Sequence, residues 1–258
     1  MTHYTLRSQA ADGVLIGTFI GYNSPSVVEA VGGAGFGFLC LDAEHTPLTV
    51  GDIENLIRAA DLAGSPTIVR VPETGSYISR VLDAGAAGIL VPRIESAEDA
   101  QDAVGRARYA PDGYRGLGPG RGGFIGGDIP THTRRVNDEI LVTIQIETAA
   151  GLAAADEIVS VPGIDAVIVG PADLAASLGV PIGSPAHIGA IDQIFAAANE
   201  HGVAAGAFCF SAADARSSVE RGARVIILGA DAMFLTAGAH QMWDSVANLT
   251  GVVAGVAK

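Results

Sequence analysis

The sequence predicts a (β/α)8 barrel. Eight short apolar or β-branched runs recur along its 258 residues, and amphipathic helical patterns separate them. Runs that are apolar on both faces fit parallel strands covered by helices. The length suits one barrel-type domain spanning 1–258, and no domain linker interrupts the alternation. A doubly wound open sheet is the alternative; it usually has fewer strands and a glycine-rich first turn.

In order, the runs are VLIGTFIG (14–21), FGFLCLDAE (36–44), PTIVRV (66–71), GILVPRI (88–94), ILVTIQIE (140–147), AVIVGPAD (166–173), AAGAFCF (204–210) and VIILGAD (225–231). Helical patterns such as 50–64, 96–110 and 188–202 lie between them, with Ser96 and Ser211 as N-caps and Gly64 and Gly202 as C-terminal glycines. Residues 111–139 form the one long irregular stretch. Its GPGRGG (118–123) follows no strand and precedes no capped helix, so it reads as a flexible loop near the barrel mouth and not as a dinucleotide site. The last segment, 231–255, reads as a helix with an apolar stripe that packs on its own barrel or on another subunit.

Composition removes several function classes. A net charge of −13 argues against nucleic acid and anionic membranes as partners. No apolar run reaches transmembrane length and the N-terminus lacks a signal-peptide core, which predicts a cytoplasmic protein. Cys40 and Cys209 sit in apolar runs and read as buried thiols. The sole lysine is Lys258, so imine-forming aldolase chemistry, pyridoxal phosphate chemistry and a Walker A loop are disfavoured.

Barrel enzymes carry their chemistry where the strands end. The second run ends in Asp42, Glu44 and His45, the third at Arg70, the fifth in Gln145 and Glu147, and the sixth in Gly170-Pro171-Ala172-Asp173. Glu147 and Asp173 stand one βα unit apart, which suits a hard divalent cation; the same spacing also fits two helix caps. His45 with Asp42 is the natural acid/base unit, unless the imidazole is simply solvated. Arg70 needs an anionic partner if buried. Backbone N–H groups around Gly170–Asp173 suit a carboxylate.

The order and spacing of these motifs, from GTFIGYNSPSVVEAVGGAGFGFLCLDAEH through IVRV, VLDAGAAGILVPRIESAEDA, RYAPDGYRG, VTIQIET and VIVGPADLAASLG to ILGAD, resemble the HpcH/HpaI aldolase family. The resemblance implies a class II aldolase that reversibly cleaves a 4-hydroxy-2-oxo acid to pyruvate and an aldehyde. Glu147 and Asp173 would bind the divalent metal (Mg²⁺, Mn²⁺ or Co²⁺), which the α-keto acid chelates. Arg70 would hold the enolate oxygen and His45 would move a proton. Asp42 matches an acid at the end of strand 2, and Asp83, in LDAG, a second acid that supports the histidine. Gln145 would line the pocket, with Gly170, Pro171, Ala172 and Phe208, and the amides near Ala172 would bind the carboxylate. A homo-oligomer, trimer or hexamer, with exchanged C-terminal helices is implied as well. Two positions depart from the pattern: Arg93 replaces an apolar residue, and Phe208 a smaller aliphatic. Alternatives on the same site are oxaloacetate decarboxylation, or condensation of oxaloacetate with an acetyl thioester, in which Arg93 or Arg121 meets a more anionic substrate. A non-catalytic barrel is the third reading.

Overall fold

The computed structural model describes residues 5–247 and 249. Lys258 and the end of the 231–255 segment lie outside them. Eight parallel strands close into a barrel in chain order: β1 (Leu15–Ile20), β2 (Phe38–Asp42), β3 (Thr67–Arg70), β4 (Gly88–Val91), β5 (Leu141–Ile146), β6 (Ala166–Val169), β7 (Ala204–Cys209) and β8 (Val225–Ala230). Each expected run contains one strand. β8 pairs with β1, with a register irregularity between Gly17 and Phe19.

Two apolar layers hold the barrel. Side chains alternate along each strand. In β2, Phe38 and Cys40 point into the barrel, while Leu39 and Leu41 pack outward against the helices. Ile68, Leu90, Leu141 and Ile168 continue the inner layer. Helix Leu6–Asp12, absent from the sequence reading, places Leu6 and Ala10 in that same inner cluster. Both cysteines are buried free thiols.

Expected caps hold. Ser96 accepts from the Asp99 N–H and Ser211 from the Asp214 N–H. Gly64 and Gly202 adopt positive φ after their helices.

Two expectations change. Residues 111–139 are not irregular throughout: helix Ile129–Glu139 lies within them, started by Asp128, which accepts from the Thr131 N–H, and by an early proline. Val136 and Asn137 alone are buried on it, so its apolar periodicity is too sparse to read. The glycine-rich loop is also not at the mouth. Helix Ala97–Ala107 runs against the strands and delivers the chain to the face where strands begin. There Gly122 donates to the Asp83 carbonyl at 2.8 Å. A Cβ on Gly122 would sit 2.1 Å from the Leu82 carbonyl oxygen, so close backbone packing accounts for that glycine.

Helix Asp231–Val246 leaves its apolar residues uncovered. Leu235, Met242 and Trp243 are exposed, and only Asp231 is buried. Near its start, Phe234 stacks on Phe36 at 6.0 Å. Among the described residues, no helix is long and apolar enough to cross a membrane.

Candidate active site

The strand period of two also builds the site. Phe19, Asp42, Arg70, Gln145, Ile168 and Phe208 share the inward parity of their strands and line a cavity of about 350 Å³. The parity continues past the strand ends to Gly21, Gly170, Phe210 and Asp231, which line it too. The cavity therefore opens at the C-terminal end of the barrel, as chemistry on this fold requires.

Arg70 is the centre of the site. Asp42 and Arg70 are register partners on adjacent strands. The guanidinium donates from Nε to Asp42 Oδ1 at 2.9 Å and from Nη2 to Oδ2 at 2.7 Å, a bidentate pair. Its Nη1 lies 3.3 Å from Glu44 Oε2. Its carbon stands 4.3 Å over the centroid of Phe19. Burial opposes the charged form of Arg70, but the hydrogen bonds and charge of Asp42, with the charge of Glu44, raise its pKa overall. The charge is permanent.

His45 sits at the rim, with 63% of its side chain exposed. Its Nε2 lies 3.6 Å from Glu44 Oε2. The expected Asp42–His45 pair is therefore corrected. Both Asp42 oxygens are engaged by Arg70, and Oδ1 also accepts the backbone N–H groups of Glu44 and His45. The carboxylate beside the imidazole is Glu44. Burial raises the Glu44 pKa, while Arg70 and His45 pull it down.

Glu147 is buried just below the mouth. Its Oε2 accepts from Gln145 Nε2 and its Oε1 from the Arg93 N–H at 3.1 Å. Arg93 reaches that carboxylate by adopting φ of 53°, the only positive φ of a non-glycine among the described residues. Burial raises the Glu147 pKa most, and the charge of Asp173 raises it further. Gly170 is required here: a Cβ would lie 2.6 Å from Glu147 Oε2 and 3.0 Å from Gln145 Nε2. Helix Pro171–Leu178 then starts at the cavity with no side-chain cap, so the N–H groups of Ala172 and Asp173 are left for a ligand.

No group of three or more His, Cys, Asp or Glu side chains poised for a metal occurs among the described residues. What does occur is an electrostatically coupled carboxylate pair, the buried Glu147 and the cavity-lining Asp173. That donor set fits a hard divalent cation whose other ligands are water and substrate oxygens.

Asp83 is not brought to His45 within the chain. It ends helix Ser76–Asp83, which runs against the strands, and Arg115 donates to its Oδ1 at 2.6 Å. Arg121 also lies at that far end, paired with Asp61. Arg93 exposes its side chain outside the cavity lining. His132 packs against Tyr109 and Phe124, with centroids at 5.7 and 5.4 Å, and takes no part in the site.

Asp231, for which the sequence suggested no role, lines the cavity and is 3% exposed. It accepts the N–H groups of Gly21, Tyr22 and Ala232 and so ties the end of β8 to the end of β1. The signal that could have found it is its position at the end of the eighth run.

The HpcH/HpaI aldolase/citrate lyase family model matches residues 15–237. The chain is 37% identical over 240 residues to a 5-keto-4-deoxy-D-glucarate aldolase of Klebsiella pneumoniae, covering 92% of this chain and 93% of that one. It is also 37% identical over 242 residues to a hydroxypyruvate/pyruvate aldolase of Paraburkholderia phytofirmans, covering 90% and 93%. A crystal structure of an HpcH/HpaI aldolase/citrate lyase family protein from Burkholderia cenocepacia superposes with a TM-score of 0.88 at 35% identity, covering 94% and 99%.

The raised Glu147 pKa carries a sign. In metal-free protein the folded state holds a proton that the unfolded chain releases above its ordinary value of 4.5. The stability this adds is complete below that value and is lost as pH rises through the folded pKa. Urea unfolding of metal-free protein between about pH 4.5 and 8 reads this slope, and Glu147→Gln is expected to flatten it. An unchanged slope in that variant contradicts the assignment.

Proposed function

The chain belongs to the HpcH/HpaI aldolase/citrate lyase family, and on that premise we propose that it reversibly cleaves a 4-hydroxy-2-oxo acid to pyruvate and an aldehyde. Aldolases are carbon–carbon lyases, and this chain is an enzyme of that class. One observation carries the finer reading: Arg70 and Asp173 line a lysine-free cavity beside unused helix N–H groups, and the buried Glu147 carboxylate is electrostatically coupled to both.

Aldol cleavage breaks the C3–C4 bond and leaves an enolate, whose charge is the main barrier. A lysine-free site needs another electron sink. A divalent ion held by Glu147 and Asp173 would supply it as a Lewis acid. The chain's own groups do the rest. The Ala172 and Asp173 N–H groups bind the substrate carboxylate. Arg70, fixed in one orientation by Asp42, presents a preorganised charge to the developing oxyanion. His45 at the rim takes the proton from the 4-hydroxyl, with Glu44 stabilising its charged form. Gln145 holds Glu147 in place. The relatives' names support a keto-acid substrate of this kind.

The test is chelation. EDTA-treated protein is expected to release no pyruvate from a 4-hydroxy-2-oxo acid, and Mg²⁺, Mn²⁺ or Co²⁺ to restore release. Turnover that persists in metal-stripped protein contradicts the reading.

The uncovered apolar residues of helix Asp231–Val246 support a homo-oligomer in which a second copy covers that helix. Light scattering is expected to give a mass well above 26.1 kDa, and a monomer at micromolar concentration would contradict it.

A further inference from the structure

The aldehyde half of the cavity has its own chemistry. Phe208 faces Phe19 with ring centroids 5.7 Å apart, and Phe210 meets Phe208 edge-on at 4.8 Å. The three rings come from the ends of neighbouring strands β7 and β1 with β8 between them, so they form one continuous wall on one side of the mouth. Phe210 is 51% exposed. Arg70, Gln145 and Asp173 form a charged and polar floor, and the Arg70 guanidinium carbon lies 4.3 Å over the Phe19 ring, so floor and aromatic flank meet at Phe19 while Phe208 and Phe210 extend the flank.

Charge points the same way. Among the described residues Arg70 is the one guanidinium lining the cavity, and Asp42 and Glu44 already hold it. Asp231 and Asp173 line the cavity as well. The keto acid's carboxylate and enolate take up the positive potential that remains. A second carboxylate, carried by the aldehyde, would meet carboxylates and phenyl rings, because His45, the other lining group able to carry positive charge among the described residues, is engaged by Glu44 and the aldehyde oxygen. Arg93 and Arg121 do not supply a cation, because the first points outside the lining and the second is paired with Asp61 at the far end of the barrel.

We propose that Phe19, Phe208 and Phe210 form the aldehyde subsite and select an uncharged apolar aldehyde, aryl or branched aliphatic. This rests on the pyruvate aldolase reading above. In the synthetic direction, C3 of pyruvate loses a proton and bonds to the aldehyde carbon. The aldehyde oxygen takes up a proton to become the 4-hydroxyl, and no oxidant or reductant is involved. The ring or branched chain lies on the phenylalanine flank while the carbonyl points at the floor.

The experiment uses the full chain with Mg²⁺ and pyruvate in two arms. The first follows loss of the pyruvate methyl proton signal in D₂O without any aldehyde, which reads enolate formation alone. The second compares kcat/KM for benzaldehyde, isobutyraldehyde, acetaldehyde and the anionic glyoxylate and succinate semialdehyde. Exchange is expected, with the apolar aldehydes favoured over the anionic ones by about tenfold or more. Phe210→Ala, at a half-exposed position that tolerates truncation, is expected to lower the benzaldehyde-to-acetaldehyde ratio by about tenfold, chiefly through KM. Exchange accompanied by a preference for anionic aldehydes, or a ratio unmoved by Phe210→Ala, overturns the subsite and leaves the aldolase reading standing. Absence of exchange overturns both.

Discussion

The bidentate pair between Arg70 and Asp42 is the interaction on which the site depends. Both residues are buried, and their strands place them side by side in register. Removing either partner would strand a charge in the barrel mouth, which typically costs about 3–5 kcal/mol. The pair also fixes direction. With Nε and Nη2 committed to Asp42, and the guanidinium carbon over the Phe19 ring, Nη1, 3.3 Å from Glu44 Oε2, is the nitrogen not bound to Asp42. The guanidinium's single positive charge is outnumbered by the carboxylates around it. Asp231 is stabilised by backbone N–H groups and Asp42 by Arg70. Burial raises the Glu147 pKa most and the charge of Asp173 raises it further, against the hydrogen bonds from Gln145 and Arg93 and the charge of Arg70.

The fold makes this arrangement with few residues. Inward parity fills the barrel with apolar side chains along most of its length and switches to polar ones at the last inward position of β2, β3 and β5. Helix Pro171–Leu178 begins with no cap, so its first N–H groups are available where the chemistry is placed. Gly170 keeps the approach to Glu147 open. Arg93 adopts a conformation unfavourable for a side-chain-bearing residue, and its N–H orients the Glu147 carboxylate.

Most of the fold was legible because parallel strands buried on both faces leave uninterrupted apolar runs, and the second, third, fifth and sixth of them gave way to polar residues at their ends. Asp42, Arg70, Gln145, Glu147 and Asp173 could be read by that rule alone. Three-dimensional pairing could not. Whether Asp42 serves His45 or Arg70 depends on strand register, and neighbouring register positions decided for Arg70. The pairing of Asp83 with Arg115 within the chain could not be read, because a short motif does not reveal which end of a helix faces the mouth. The helix at Ile129–Glu139 escaped because it buries almost nothing. Asp231 escaped because its partners are backbone N–H groups of β1's end, more than two hundred residues away in sequence.

The central claim is that Glu147 and Asp173 together hold one divalent cation beside Arg70. Titration calorimetry of metal-stripped protein with Mn²⁺ tests it most directly, since it needs no knowledge of the substrate. One site per chain is expected, lost in Glu147→Ala and in Asp173→Ala and retained in Phe210→Ala. Undiminished Mn²⁺ binding in both carboxylate variants would contradict it.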